Sequence, residues 1–227
     1  RHSIAIKTNP EKAVLKHITE RGFGLEAASI EELQLAFECG LPVERAVFDS
    51  PAKTRKEIQW CEEHCAGMVV NANCLEELDR YSPESKLRLG LRINPEMEID
   101  APGLYNVGGT QSKFGVPISS RSEILERSIK PPFICGLHIH AGSDVGDFTA
   151  NIQGIGAVVQ LANAINDYRR NNGIEQQIGF IDIGGGIKAD IDKAGNNTGL
   201  AGFTKALQQA CPDLFANYEV ITEFGRF

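Results

Sequence analysis

One pattern recurs eight times along the chain: a short run rich in β-branched and apolar residues, followed by a stretch with helical spacing. The runs lie near 3–7, 23–28, 45–49, 67–71, 87–94, 134–141, 179–184 and 218–223. Strands that alternate with helical segments build a parallel sheet from βα units, because each crossover must carry the chain back before the next strand begins. Eight such units favour a closed (β/α)8 TIM barrel over an open sheet, since closure pairs the edge strands that an open sheet leaves bare. The 227 residues suit one domain over 1–227, as such barrels occupy roughly 250 residues.

Helices fill the gaps. Ser29 and Glu32 have the spacing of a capping box, opening a helix through Phe37 that Gly40 closes. Residues 52–64 carry Ile58, Cys61 and Cys65 at helical spacing, and Asn73 is placed to cap a helix through Leu75, Leu78 and Tyr81. The longest helix is expected within 148–171, where Ile152, Ile155, Val159 and Ile165 share a stripe that Gly154 and Gly156 weaken at its start. No helical segment follows the eighth strand, so the barrel is expected to lack its last helix and the chain to be a piece of a larger protein. Residues 95–111 form one long non-periodic insert after the fifth strand, at the end where barrels place active sites.

Charge and composition remove several classes of function. Thirty acidic against 23 basic residues leave a net charge of -7, which opposes attraction to phosphate backbones or anionic membranes, so nucleic acid is not an expected partner. No apolar run reaches the ~18 residues that span a bilayer, and the first residues lack a signal-peptide pattern, giving an expected cytoplasmic location. Six cysteines in a chain of this length read as buried thiols rather than a disulfide scaffold. Cys61 and Cys65 flank His64, but no second ligand cluster accompanies them, and no metal is assigned.

A barrel carries its reactive groups at the C-terminal ends of its strands. Those positions are polar here: Lys7 on the first strand, Glu26 on the second, Arg92 and Asn94 on the fifth, His138 and His140 on the sixth, Asp182 on the seventh, Glu223 and Arg226 on the eighth. Any one of them is an ordinary surface group at a strand end; together they mark a rim. Gly184, Gly185 and Gly186 follow the seventh strand, and Gly225 precedes Arg226 after the eighth. Consecutive glycines allow backbone N–H groups to converge on an anion, and the loops after strands seven and eight are the usual phosphate cradle of barrels. Ser143 stands ready to donate a hydroxyl to the same phosphate. A phosphate cradle with a lysine beside it in the closed barrel suits a phosphate-bearing cofactor that needs an amine, and pyridoxal phosphate fits.

The segments IAIKTNP (4–10), GFGLEAAS (22–29), LRINP (91–95), SKFG (112–115), GLHIHAGS (136–143), DIGGG (182–186) and EFGR (223–226) resemble, in order, the motifs of the fold-type III pyridoxal-phosphate decarboxylases, the group that includes diaminopimelate, ornithine, arginine and carboxynorspermidine decarboxylases. The resemblance covers essentially the whole chain. It implies that Lys7 is the Schiff-base lysine with Glu26 as its acidic neighbour, that His140 stacks on the cofactor ring, and that Ser143, Gly184, Gly185, Gly186, Gly225 and Arg226 hold the phosphate. It further implies that Glu223 pairs with the pyridine nitrogen and that Arg92 and the SKFG stretch support the site. Where the family usually has proline, this chain has Phe224. The resemblance also implies a following β-rich domain and a homodimer whose second subunit completes each active site.

Chemistry agrees with these roles. A carboxylate at the ring nitrogen keeps it protonated, which suits decarboxylation of an α-amino acid, here one with a second amino or basic group. A site crowded with cationic and apolar groups is expected to lower the pKa of Lys7. A fold-type III racemase tends to place arginine where Glu223 stands, and a pyridoxal-phosphate carrier protein fits the GLHIHAGS and SKFG segments less well. A non-catalytic homologue would be expected to lack the lysine or the cradle. A metal-dependent hydrolase using His138 and His140 with Asp182 or Glu223 would usually carry such a pair on its first strand instead.

Overall fold

The structure is a computed structural model that describes residues 1–97, 109, 112–140, 142, 148–187 and 198–225. Its strands are β1 (His2–Ala5), β2 (Gly24–Ala27), β3 (Ala46–Phe48), β4 (Val69–Ala72), β5 (Arg88–Asn94), β6 (Val116–Pro117), β7 (Gly136–His138), β8 (Phe180–Asp182) and β9 (Glu219–Phe224). All pair in parallel in the order β4-β3-β2-β1-β9-β8-β7-β5, and β4 pairs with β5 to close the ring. Eight strands therefore form the expected barrel. The two-residue β6 lies outside it, pairing with Ile93 and Asn94 and bringing the SKFG segment beside the end of β5.

The helices are α1 (Lys12–Glu20), α2 (Ile30–Glu38), α3 (Arg55–His64), α4 (Leu75–Leu78), α5 (Arg121–Ser128), α6 (Phe148–Asn171), α7 (Thr198–Ala210) and α8 (Pro212–Asn217). Ser29 caps α2 as expected, but the Glu32 carboxylate accepts from Ala28 N–H at 2.7 Å, one residue before the reciprocal partner of a capping box. The complete box belongs to α3, where Thr54 and Glu57 satisfy each other's backbone donors. Asn73 does not cap α4: Cys74 holds that position, and the Asn73 side chain instead accepts from Gly115 N–H at 3.0 Å. The long helix α6 lies where its apolar stripe placed it. Gly154 serves packing there, since a Cβ would sit 3.0 Å from Ile139 Cδ1. Among the described residues no helix is long and apolar enough to cross a membrane.

Strand alternation sends apolar residues to both faces. Outward residues pack under the helices in two clusters, one around Leu91, Leu137, Ile155 and Ile181 and one around Leu25, Phe48, Ile58 and Leu89. Inside the barrel, Val47, Val69, Phe180 and Ile221 form a small plug. Phe180 fits only because its neighbours are small: a Cβ on Gly136 would meet its ring at 2.2 Å, and one on Gly90 would meet it at 3.3 Å. Above this plug the interior turns polar. Arg92, His138 and Asp182 stand side by side in register across β5, β7 and β8, all buried. Phe224 remains in strand, paired with Ile4 of β1, so ladder pairing holds the backbone where the related motif has proline. Cys61 and Cys65 are buried in the apolar core, while His64 turns outward to stack on Trp60 at 5.1 Å. The three do not converge.

Candidate active site

Lys7 sits in a short turn at the C-terminal end of β1. Its ammonium lies 3.2 Å from Glu26 Oε2 and 3.5 Å from Oε1, with the Lys7 side chain 53% exposed and that of Glu26 fully buried. Burial pulls the Lys7 ammonium down, but the carboxylates of Glu26, Glu223 and Asp49 together outweigh it and hold the pKa above the ordinary lysine value. The expected lowering is thus reversed: the surroundings of Lys7 are anionic rather than cationic. Burial in turn pushes Glu26 up to about 7, partly offset by Lys7.

Glu223 stands on β9, which pairs with β1 in a register that sets it beside Ser3. It is buried, and among the described residues its Oε1 has no hydrogen-bond partner. Burial raises its pKa well above the carboxylate range, helped by the charges of Asp49 and Glu26. Asp182 is raised well above its usual value by burial and by the neighbouring carboxyl group of Glu223. Two buried carboxyl groups close enough for one to raise the other's pKa cannot both ionise cheaply, so the pair retains a proton.

His140 accepts the Gly185 N–H at Nδ1, at 3.2 Å. A ring nitrogen that accepts carries no proton, so the imidazole is neutral with its hydrogen on Nε2. Burial, together with the charges of Arg92, His138 and Lys7, agrees by lowering its pKa to about 3. His138 faces elsewhere, between Asp49 and Glu223, and the H-x-H pair does not act as one unit.

The glycine run is built for close approach. Gly184 and Gly186 have φ values of 64° and 88°, in the left-handed region. A Cβ on Gly184 would fall 2.5 Å from Ile139 O, one on Gly185 2.3 Å from Glu223 O, and one on Gly225 2.3 Å from Thr8 Cγ2. The expected convergence of free N–H groups does not hold for two of them: Gly184 donates to Asp182 Oδ1 at 3.0 Å and Gly185 to His140. Ser143, Arg226 and most of the 95–111 insert lie outside the described residues.

Arg92 lies 3.6 Å from Asp49 Oδ2 and packs its guanidinium over the Phe114 ring at 4.9 Å, linking the SKFG segment to the barrel interior. Several buried polar residues here were not singled out from the sequence. Asp49 follows β3, and burial alone would raise it, but His138, Arg92 and Lys53 hold it below the carboxylate range. Lys53 is buried and donates to Ser50 O at 2.7 Å and Asn71 O at 2.6 Å, with Glu77 Oε1 at 3.1 Å, tying the ends of β3 and β4 together. Asn71 of β4 reaches Asp182 at 3.5 Å. The strand-end rule that selected Lys7 and Glu223 applies equally to Asp49 and Asn71, and was the available signal.

Residues 2–227 match the family described as pyridoxal-dependent decarboxylase, pyridoxal binding domain. The chain is 29% identical over 201 residues to a diaminopimelate decarboxylase of Archaeoglobus fulgidus, which covers 86% of this chain and 46% of that protein. It is 26% identical over 229 residues to a probable ornithine decarboxylase of Dictyostelium discoideum, covering 98% of this chain and 45% of that one. In fold it is similar to diaminopimelate decarboxylase from Helicobacter pylori complexed with L-lysine, with a TM-score of 0.84 and 24% identity over 99% of this chain and 56% of that one. The chain spans about half the length of the curated relatives it matches. By a match that runs nearly end to end, it belongs to the pyridoxal-dependent decarboxylases.

Proposed function

We propose that this chain is the cofactor-binding barrel of a pyridoxal-phosphate-dependent decarboxylase that acts on an α-amino acid with a second amino or basic group. The observation that carries the reading is a half-exposed amine, Lys7 in the turn that ends the first strand, close enough to feel the charge of a buried carboxyl group, Glu223, on the strand paired beside it. The side chains suit the cofactor. Glu223 keeps one buried oxygen without a partner, and the glycine run brings backbone close to the rim without side-chain obstruction. In this reading Lys7 holds the aldehyde carbon, Glu223 the ring nitrogen and His140 the ring face. Gly184, Gly185, Gly186 and Gly225, with Ser143 and Arg226, would line the phosphate, Gly184 and Gly185 by close backbone approach rather than by their N–H groups, which are bonded within the chain, while Glu26 and Arg92 support the rim. Bound pyridoxal phosphate would supply an electron sink for the pair released when carbon dioxide leaves the α-carbon.

The chain's own groups divide the remaining work. Glu26, at about 7 and within hydrogen-bond reach of Lys7 Nζ, is placed to take the proton that the amine must lose before it acts as a nucleophile. Glu223, buried and inclined to keep its proton, would face the ring nitrogen of the bound cofactor. His140, fixed neutral by Gly185, presents an uncharged ring face. A cytoplasmic homodimer with shared active sites is part of the proposal, and it rests on the same family reading.

The test uses the full-length protein. Carbon dioxide release is measured with diaminopimelate, ornithine, lysine, arginine and carboxynorspermidine, and cofactor retention by visible absorbance after dialysis. One substrate should release carbon dioxide, and Lys7→Ala should lose the retained absorbance. Absence of release from all five, or a Lys7→Ala protein that keeps the cofactor as tightly as the unaltered one, would overturn the assignment.

A further inference from the structure

Asp49, His138 and Glu223 come from β-strand ends that are not neighbours in the sheet, so their meeting is made across the barrel interior. His138 Nδ1 lies 3.2 Å from Asp49 Oδ1, and His138 Nε2 lies 3.4 Å from Glu223 Oε2. The nearest atoms of the three all lie within 4.8 Å of one another, and all three residues are buried. Among the described residues neither ring nitrogen makes a hydrogen bond, so these two carboxyl groups are the acids the ring meets, at ion-pair distance. Behind Asp49 stands Arg92, 3.6 Å away.

We infer that His138, backed by Asp49, is a positioning residue for Glu223, and that the three form a buried relay deciding where the proton lies beside the cofactor's ring nitrogen. The inference rests on the reading that Glu223 faces that nitrogen. Its logic is one of donors and acceptors. Asp49, held anionic by His138 and Arg92, can only accept, so the hydrogen of His138 must stand on Nδ1. Nε2 is then the only atom left to face Glu223. If the ring is charged, Nε2–H donates to the Glu223 carboxylate; if it is neutral, the Glu223 acid donates to Nε2. In both cases one proton is shared along a single line, and Glu223 has a proton partner that is not solvent.

The charges around this line oppose one another. Glu26, Asp49 and Asp182 face Glu223 as acids, Lys7 faces it as a cation, and Arg92 and Lys53 act on Asp49. With so many carboxyl groups in one buried interior, a histidine set beside one acid and directed at another is an element that can give Glu223 a proton or take one.

The experiment compares Asp49→Asn, His138→Gln, their double variant and Glu223→Gln in the full-length protein. Two quantities are read: the dissociation constant for pyridoxal phosphate after stripping, and the absorbance of the bound cofactor across about pH 6 to 9. Each single relay variant should weaken cofactor binding about tenfold and move the midpoint of the pH-dependent absorbance by about one unit, and the double should do no more than the stronger single. Singles within twofold of the unaltered protein with an unmoved midpoint, or effects that multiply in the double, overturn the inference. Should Glu223→Gln move the midpoint while the relay variants do not, the relay alone fails; should Glu223→Gln leave it unmoved, the reading of Glu223 fails with it. If the variants do not fold, nitrogen NMR of the unaltered protein decides. A hydrogen on His138 Nδ1 across the range supports the relay, and a bare Nδ1 ends it.

Discussion

Lys7 Nζ lies 3.2 Å from Glu26 Oε2, the amine half in water and the carboxyl group wholly out of it. That asymmetry sets both pKa values. The acid gains more from keeping its proton than from ionising beside a solvated cation, so it titrates at about 7 rather than at its ordinary 4.5. The amine, facing several acids, is held above its own ordinary value despite partial burial.

Glu26→Gln tests this pairing in two ways. With the nearest carboxylate gone and burial unchanged, the pKa of Lys7 should fall, measured as the pH dependence of its reaction with an amine-directed reagent in cofactor-stripped protein. Stability should also change its slope with pH. Below the unfolded pKa of Glu26 both states hold the proton; as pH rises toward about 7 the unfolded chain releases it and the folded chain does not, so folding loses stability. Glu26→Gln removes that loss, on the order of 3 kcal/mol, and denaturant midpoints at both ends of the window should move closer together, the remaining difference coming from Glu223 and Asp182. An unchanged slope would refute the raised acid.

The barrel interior predicts a size constraint. Gly136→Ala would set a methyl 2.2 Å from the Phe180 ring, which is fully buried and has nowhere to go. Overpacking of this kind should cost about 3 kcal/mol or prevent folding. Phe180→Leu in the same protein should recover part of the loss, although Phe180→Leu alone leaves a cavity and destabilises. Additive losses in the double variant, read by urea denaturation, would show that the two residues do not meet.

Arg169 on α6 predicts a stability loss of a different kind. Its side chain is fully buried with no ion pair to a carboxylate among the described residues, and it donates instead to Ser128 O at 2.9 Å, Ile134 O at 2.9 Å and Gln176 O at 3.2 Å. Burial lowers its pKa to about 10, so it stays charged at neutral pH. Arg169→Met keeps much of the volume but strips those carbonyls of their donor, and should cost about 2 to 4 kcal/mol. Arg169→Lys should recover only part, because an ammonium cannot reproduce the spread of a guanidinium. The denaturation midpoint checks both, and a silent Arg169→Met would refute the bonding role.

Much of the architecture was legible without coordinates. The alternation of β-branched runs with helical spacing is a local property, so strand count, parallel pairing and closure followed from it, as did the long helix over Phe148–Asn171. The strand-end rule found Lys7, Glu26, Arg92, His140 and Glu223, since in a barrel the sequence position of a strand's last residues is also their height. Capping was read less well. Asn73 has the side chain of a helix cap, yet it bonds Gly115, 42 residues away, because an amide serves either partner and only distance selects between them.

What only the tertiary structure decided are the contacts made across the barrel. Asp49 and His138 are separated by 89 positions in sequence, and nothing in either's neighbourhood points to the other; closure of the ring brings them to 3.2 Å. The same holds for the direction of the Lys7 shift. The sequence by itself determined which groups line one rim, because strand period and strand order are encoded locally. Which of those groups are charged was decided by folding, because a pKa sums burial and Coulomb energy over every neighbour, and those distances exist only once the strands have closed.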